Sequence, residues 1–245
     1  MSRAMLDCAS VAILIWLLVP GAFIGRALSD EATPAPAATN PSANKSAPPE
    51  LAAIALAAKA VFDNASRNDW DRARHEVAVV ARNWEVYLAE NKLPGHLIVA
   101  MMEAVDRLQE ASAISEEDRI NTMRTANDVG WAVLDLIDLY HPAIPTDIGR
   151  LDVLERRIIV DLLSGDFISA RETMDRLKAV WKGLRPSVVE RVGAEAAASF
   201  DARLPPQEKA VVDKSARAGE REARKGLEVV SDLEEAFRHT RIGSK

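Results

Sequence analysis

The sequence predicts an all-α fold: a duplicated helical-hairpin or helix-bundle body behind an N-terminal signal or anchor segment. Three observations lead there. Hydrophobic residues make up 48% of the 245-residue chain, yet only 5% are aromatic and 11 are glycine. The apolar content is therefore carried by Ala, Leu, Val and Ile, and with so much Ala, Glu, Arg and Lys that balance favours helix over sheet. From residue 50 onward, apolar positions recur at helical spacing, and no stretch alternates strictly or clusters β-branched residues as a strand would. Finally, one amphipathic segment recurs 97 positions later in the chain.

The N-terminus divides into two parts. Residues 9–24 form a near-continuous apolar run between Arg3 and Arg26, with Pro20 and Gly21 breaking it near its end. The run is shorter than the roughly 20 residues of a bilayer-spanning helix. Ala27-Leu28-Ser29 places small residues where a signal peptidase would read them, so residues 1–29 are expected to be a signal peptide cleaved before Asp30, with an uncleaved anchor as the alternative. Either reading places the body in the periplasm or cell envelope, touching the membrane only through residues 9–24 if the leader is retained. Residues 30–49 are almost wholly Ala, Pro, Ser, Thr and Asn, too poor in large apolar side chains to offset chain entropy, and read as a flexible linker. The only cysteine, Cys8, precedes the apolar run, so a processed chain has no thiol for a disulfide, a zinc site or a nucleophile.

The body, residues 50–245, is punctuated by helix signals. Asn68-Asp69 opens one helix, Pro94 the next, and Ser115 to Asp118 resembles a capping box ahead of another. His141-Pro142 closes that long helix, and Pro145-Thr146-Asp147 opens its successor. Gly165-Asp166, Pro186 and Pro205-Pro206 are expected to mark further turns, giving about eight helices, the last from about Gln207 to Arg238. Residues Asp213 to Lys225 carry charges of both signs and read as an exposed, ion-paired stretch.

Residues 68–85 (NDWDRARHEVAVVARNWE) align without a gap on residues 165–182 (GDFISARETMDRLKAVWK). Asp69, Ala73, Arg74 and Trp84 recur as Asp166, Ala170, Arg171 and Trp181. Trp70, Ala73, Val77, Val80 and Trp84 share one helix face, and that face recurs as Phe167, Ala170, Met174, Leu177 and Trp181. Each segment then reaches a proline, Pro94 or Pro186, expected to start the next helix. These features predict a duplication over about 50–140 and 146–238. Gly165-Asp166-Phe167, with Ala170 three residues on, resembles the inter-helix turn of tetratricopeptide repeats, over about 30 residues in each copy. The resemblance implies closely packed hairpins and a protein-binding scaffold. The 97-residue spacing departs from the 34-residue period of those arrays, as does Asn68 in the place of glycine.

No phosphate-binding glycine loop, HExxH or GxSxG occurs, and the four histidines are scattered. No cofactor and no catalysis are expected. The net charge of -6 argues against a duplex-binding surface, so no nucleic acid is expected either. The most unusual stretch is 127–157. Asp128, Asp135 and Asp138 lie along one side of a helix with Trp131, and His141 follows one turn later. A short Pro-bounded turn returns Asp147, Asp152 and Glu155 on the next helix. Asp138, His141 and Asp147 are thus the candidate ligands of a divalent cation. The competing reading makes these residues salt-bridged surface groups, with Arg150 bridging to Asp138 or Asp135 and Asp152 pairing with Arg156. In function, the chain is expected to be an exported scaffold or interaction protein with a protein partner or a copy of itself. The alternative is a ligand- or cation-binding helical module at residues 135–155.

Overall fold

A computed structural model describes residues 46–113 and 118–242; the expected leader, most of the linker and the Ser115 capping residue lie outside them. The described residues form eight helices and no strand: α1 (Pro49–Ser66), α2 (Trp70–Glu90), α3 (Gly95–Ala113), α4 (Arg119–Asp138), α5 (Thr146–Leu163), α6 (Phe167–Arg191), α7 (Ala194–Val212) and α8 (Ala216–Ile242). None is long and apolar enough to cross a membrane.

The helix starts follow from local chemistry. Pro49 occupies the first turn of α1, where a missing N–H costs nothing. The Asp69 carboxylate caps α2 by accepting from the Arg72 backbone N–H, and Asp166 caps α6 by accepting from Ser169 at 3.0 Å. Before each cap the chain passes through a left-handed residue, Asn68 at φ 60° and Gly165 at φ 75°. The Asp69 N–H then donates to the Asn64 carbonyl at 2.9 Å, and the Asp166 N–H to the Asp161 carbonyl at 2.8 Å. The α7–α8 turn repeats the device: Lys214 stands at φ 55°, and the Ser215 N–H donates to the Ala210 carbonyl.

Two antiparallel four-helix bundles result. In the first, α1 packs on α2 and α4, and α3 packs on α2 and α4; in the second, α5 packs on α6 and α8, and α7 packs on α6 and α8. Short connections force this up-down order. The first core is built on fully buried Leu51, Ile54, Tyr87, Met101, Leu108 and Leu136. Burying each such side chain contributes about 1.5–3 kcal/mol, more than an exposed ion pair returns. The bundles meet where α4 packs on α5.

The starts Pro49, Trp70 and Arg119 recur 97 positions later at Thr146, Phe167 and Ala216; Gly95 recurs 99 later at Ala194. Burial follows the same shift. On α1, Leu51, Ile54, Ala58, Val61 and Phe62 are buried, and on α5 so are Ile148, Leu151, Glu155, Ile158 and Ile159. The predicted face of α2 is buried from Trp70 to Trp84; its counterpart on α6 is buried at Ala170, Met174, Leu177 and Trp181, with Phe167 partly covered.

Three expectations are corrected. Pro186 does not start a helix but lies inside α6, and Pro205 and Pro206 lie inside α7. All three are on exposed faces, where water can serve the carbonyls that lose a donor. The expected last helix from Gln207 to Arg238 is two, parted at Asp213 to Ser215, where a left-handed lysine takes the place of a glycine.

Candidate functional site

The connector between α4 and α5 is where sequence placed the chemistry, and the structure gathers polar groups there. The end of α4 tightens into a final turn, with the Tyr140 N–H donating to the Ile137 carbonyl and the His141 N–H to that of Asp138. His141 adopts φ 47°, and Pro142 prevents the helix from resuming. Two anchors hold the connector. The Tyr140 hydroxyl meets that of Tyr87 on α2 at 3.1 Å, both rings buried. From the second bundle, Arg191 Nη1 donates to the Ala143 carbonyl at 2.9 Å while its guanidinium stacks over Phe237.

Asp138, His141 and Asp147 all line one open depression of about 590 Å³, with Arg150 and Arg191. At its floor lies Arg150. Its Nη2 donates to Asp135 at 2.8 Å and to Asp138 at 2.5 Å, and its Nη1 to Asp147 at 3.1 Å. The guanidinium lies 5.7 Å from the Trp131 ring centroid, and Thr146 donates its hydroxyl to Asp138. Burial works against the charge on Arg150, but the bonds to Asp138, Asp135 and Asp147 outweigh it and hold the guanidinium protonated. One cation of the chain's own therefore satisfies three carboxylates. Among the described residues, no group of three or more His, Cys, Asp or Glu is close enough to hold a metal ion. Asp128, the third acid of the α4 face, pairs with Arg157 at 3.1 Å instead.

The same chemistry continues along α5. Arg156 donates to Asp152 at 2.8 Å and, across the bundles, to Asp63 of α1 at 2.7 Å. Lys59 of α1 reaches Asp152 at 3.2 Å. Asp161, fully buried, accepts from Thr173 and Arg157. The 135–155 stretch is thus chiefly a seam between bundles, closed by arginines of α5 against carboxylates of α1 and α4.

A second feature had no reading from sequence. At the end of the second bundle formed by the α5–α6 and α7–α8 turns, a cavity of about 640 Å³ is lined by Phe167, Ile168, Val211 and Val212. Ile168 is 76% exposed and Val212 56%, with exposed Leu163 close by in the chain. The corresponding positions of the first bundle are Asp71, Ala113 and Ser66. The available signal was this difference between copies, seen for Ile168 and Leu163 at the shift of 97 residues and for Val212 at the shift of 99 that relates α7 to α3.

Fold and site together define a two-bundle helical protein with an ion-paired seam. Comparison with protein-family models, with curated proteins and with solved structures finds no significant match to this chain.

Proposed function

We propose that this chain is an exported, non-catalytic helical scaffold, built by duplication of a four-helix bundle, that acts by offering the tip of its second bundle to a protein surface. One observation carries this reading: Ile168 and Val212 stand in solvent around Phe167 and Val211, where the first bundle carries a charge and a small residue. Large apolar groups gathered in one cavity at a rim of polar residues mark an interaction surface. That rim holds exposed Arg171 and Lys214 beside exposed Asp166 and Glu172, a pattern of both signs that a second copy of the same surface can match. The recurrence of helix starts and buried positions supports duplication. The apolar run at residues 9–24 supports export.

Sedimentation of the full chain tests the proposal. Self-association that weakens at least tenfold in Ile168→Asp and Val212→Asp, with helical content unchanged, supports a second copy as the occupant. A photo-crosslinker at Ile168 in cells, with one at exposed Leu56 of α1 as control, reports a different protein. Monomers throughout and no crosslink specific to position 168 reject the surface.

A second reading, a divalent-cation or small-ligand module at the connector, draws on the gathering of Asp138, His141 and Asp147 around one depression. Calorimetric titration with zinc and calcium separates the two. Heats that vanish in Asp138→Ala and His141→Ala favour the module, and equal heats in all proteins remove it.

A further inference from the structure

The second bundle contains a charged layer in its interior. Glu155 of α5 is fully buried, as is Gln207 of α7, and Arg203, one turn before Gln207, is nearly so. Arg203 donates through Nη1 to Glu155 Oε1 and through Nη2 to Gln207 Oε1, while Gln207 Nε2 donates to Glu155 Oε2 at 2.7 Å. The Arg203 guanidinium lies 4.8 Å from the Phe200 ring centroid, and its Nε has no hydrogen-bond partner among the described residues. On α8, Gly226 makes room: a Cβ there would overlap Glu155 Oε1 and Arg203 Nη1.

The first bundle shows what this layer replaces. Under the shift that superposes helix starts, Glu155, Arg203, Gln207 and Gly226 correspond to Ala58, Ala104, Leu108 and Val129, all buried. Four helices of the same plan therefore pack an apolar layer once and an ion-paired layer once. An apolar layer of this size is generally as stable as a buried ion pair or more so, because desolvating two charges offsets their attraction. The polar version is thus not required by the packing.

Its distinguishing property is that it can change charge. Burial, the dominant influence, lifts the Glu155 carboxyl to about 7, against the opposing pull of Arg203 and Gln207. Among the other charges that face α5, Asp152 adds a further upward push on Glu155, and each has partners of its own. Asp152, one turn back, pairs with Arg156 and Lys59; Asp63 of α1 pairs with Arg156; Asp128, Asp135 and Asp138 of α4 pair with Arg157 and Arg150. Arg124 of α4 lies 3.8 Å from Asp161. On α6, Lys178 is held by Asp175 and Glu208, and on α8 Glu222 is held by Lys225 and Arg221. The inward faces of α6 and α8 present Met174, Leu177, Ala223 and Val230, which do not titrate.

We propose that the Glu155–Arg203–Gln207 layer is a proton-linked latch that makes the second bundle, and not the first, open as the pH rises through neutrality. The sign follows from linkage. The carboxyl binds its proton more tightly folded than unfolded, so folding takes up a proton between the ordinary value of 4.5 and about 7. Stabilisation from Glu155 is complete below that window and lost as pH rises through it. When Glu155 is neutral, Arg203 keeps Gln207 Oε1 and the Phe200 ring, whereas the ionised form must offset the desolvation of the carboxylate with two partners drawn from α7 alone.

Hydrogen exchange of the full chain between pH 5 and pH 8 tests the latch, with the first bundle as internal reference for the pH dependence of exchange itself. Opening of α5 to α8 relative to α1 to α4 is expected to rise on the order of a hundredfold across this range. Asp161, also buried in α5, has its carboxyl raised as well, so the proposal is read from the difference between wild type and Glu155→Gln. The same difference is expected with the four-residue variant Glu155→Ala, Arg203→Ala, Gln207→Leu, Gly226→Val, which copies a layer the first bundle already packs. A pH slope equal in wild type and either variant overturns the proposal. Carbon-13 titration of the wild-type glutamate carboxyls needs no variant to fold: a Glu155 signal that stays ionised down to pH 5 overturns it as well.

Discussion

Arg156 of α5 and Asp63 of α1, 93 residues apart, meet at 2.7 Å and tie one bundle to the other. Arg156 is 5% exposed, also holds Asp152, and stacks its guanidinium 4.7 Å from the Phe62 ring centroid. Arg156→Ala removes both pairs and the stacking and leaves two acids facing each other across the seam. A loss of about 2 kcal/mol is expected from urea denaturation. Asp63→Ala, with its side chain 40% exposed, is expected to cost less than half as much.

Arg150 is the corresponding centre at the connector. Arg150→Met keeps contact with Trp131 but strips Asp135, Asp138 and Asp147 of their shared cation. The expected outcome is faster proteolysis at the 139–145 connector with the helical signal intact, measured by limited digestion and circular dichroism.

The two hairpin caps differ in strength. Asp166 accepts from both the backbone N–H and the hydroxyl of Ser169, and these bonds, the backbone one first, hold its carboxyl below the usual range. Asp69 accepts from Arg72 at 3.4 Å. Asp166→Ala is therefore expected to lower the melting temperature more than Asp69→Ala. Because the folded value is depressed, the stabilisation from Asp166 is present above the ordinary aspartate range and lost as pH falls through the folded value. The gap between wild type and Asp166→Ala should narrow in acid, which thermal melts at several pH values will show.

Two helical glycines make a controlled pair. Gly183, exposed in α6, has open space where a Cβ would stand, so Gly183→Ala should gain about 0.5–1 kcal/mol. Gly226→Ala offers the same gain in propensity but pushes into Glu155 and Arg203, whose buried pairing cannot yield freely. It should be destabilising by about 1–3 kcal/mol.

Lys214 adopts φ 55° at the α7–α8 turn, a conformation that glycine reaches without Cβ strain. Lys214→Gly is expected to raise stability by about 1 kcal/mol, as read from the denaturation midpoint.

Sequence revealed most of the local structure because caps and periodicity are local. Asn68-Asp69, Pro94, His141-Pro142, Pro145 and Gly165-Asp166 all fall at helix ends. Pro186, Pro205 and Pro206 misled because a proline on an exposed face loses one hydrogen bond that water replaces, and packing of the opposite face then decides. The α7–α8 break was hidden because lysine carries no turn signal. At the connector, the bridging of Asp138 and Asp135 by Arg150 was legible as one of two readings, but its position between the two acids and Asp147 depends on how α4 and α5 cross. The buried layer of Glu155, Arg203 and Gln207 had no reading from sequence, because charged and amide side chains are read as surface. Only the burial of Ala58, Ala104 and Leu108 at matching positions shows where they belong.

The seam also sets how far this architecture extends. At the positions where α5 carries Arg150 and Arg157, α1 carries Ala53 and Ala60, and at the Asp128 position of α4, α8 carries Lys225. α8 keeps acids at the Asp135 and Asp138 positions, Asp232 and Glu235, but the outer flank of α1 has no arginine at the places of Arg150 and Arg157 to meet them. Stacking molecules end to end into a fibre would therefore set acids of α8 against alanines of α1, without the arginines that fasten α5 to α4.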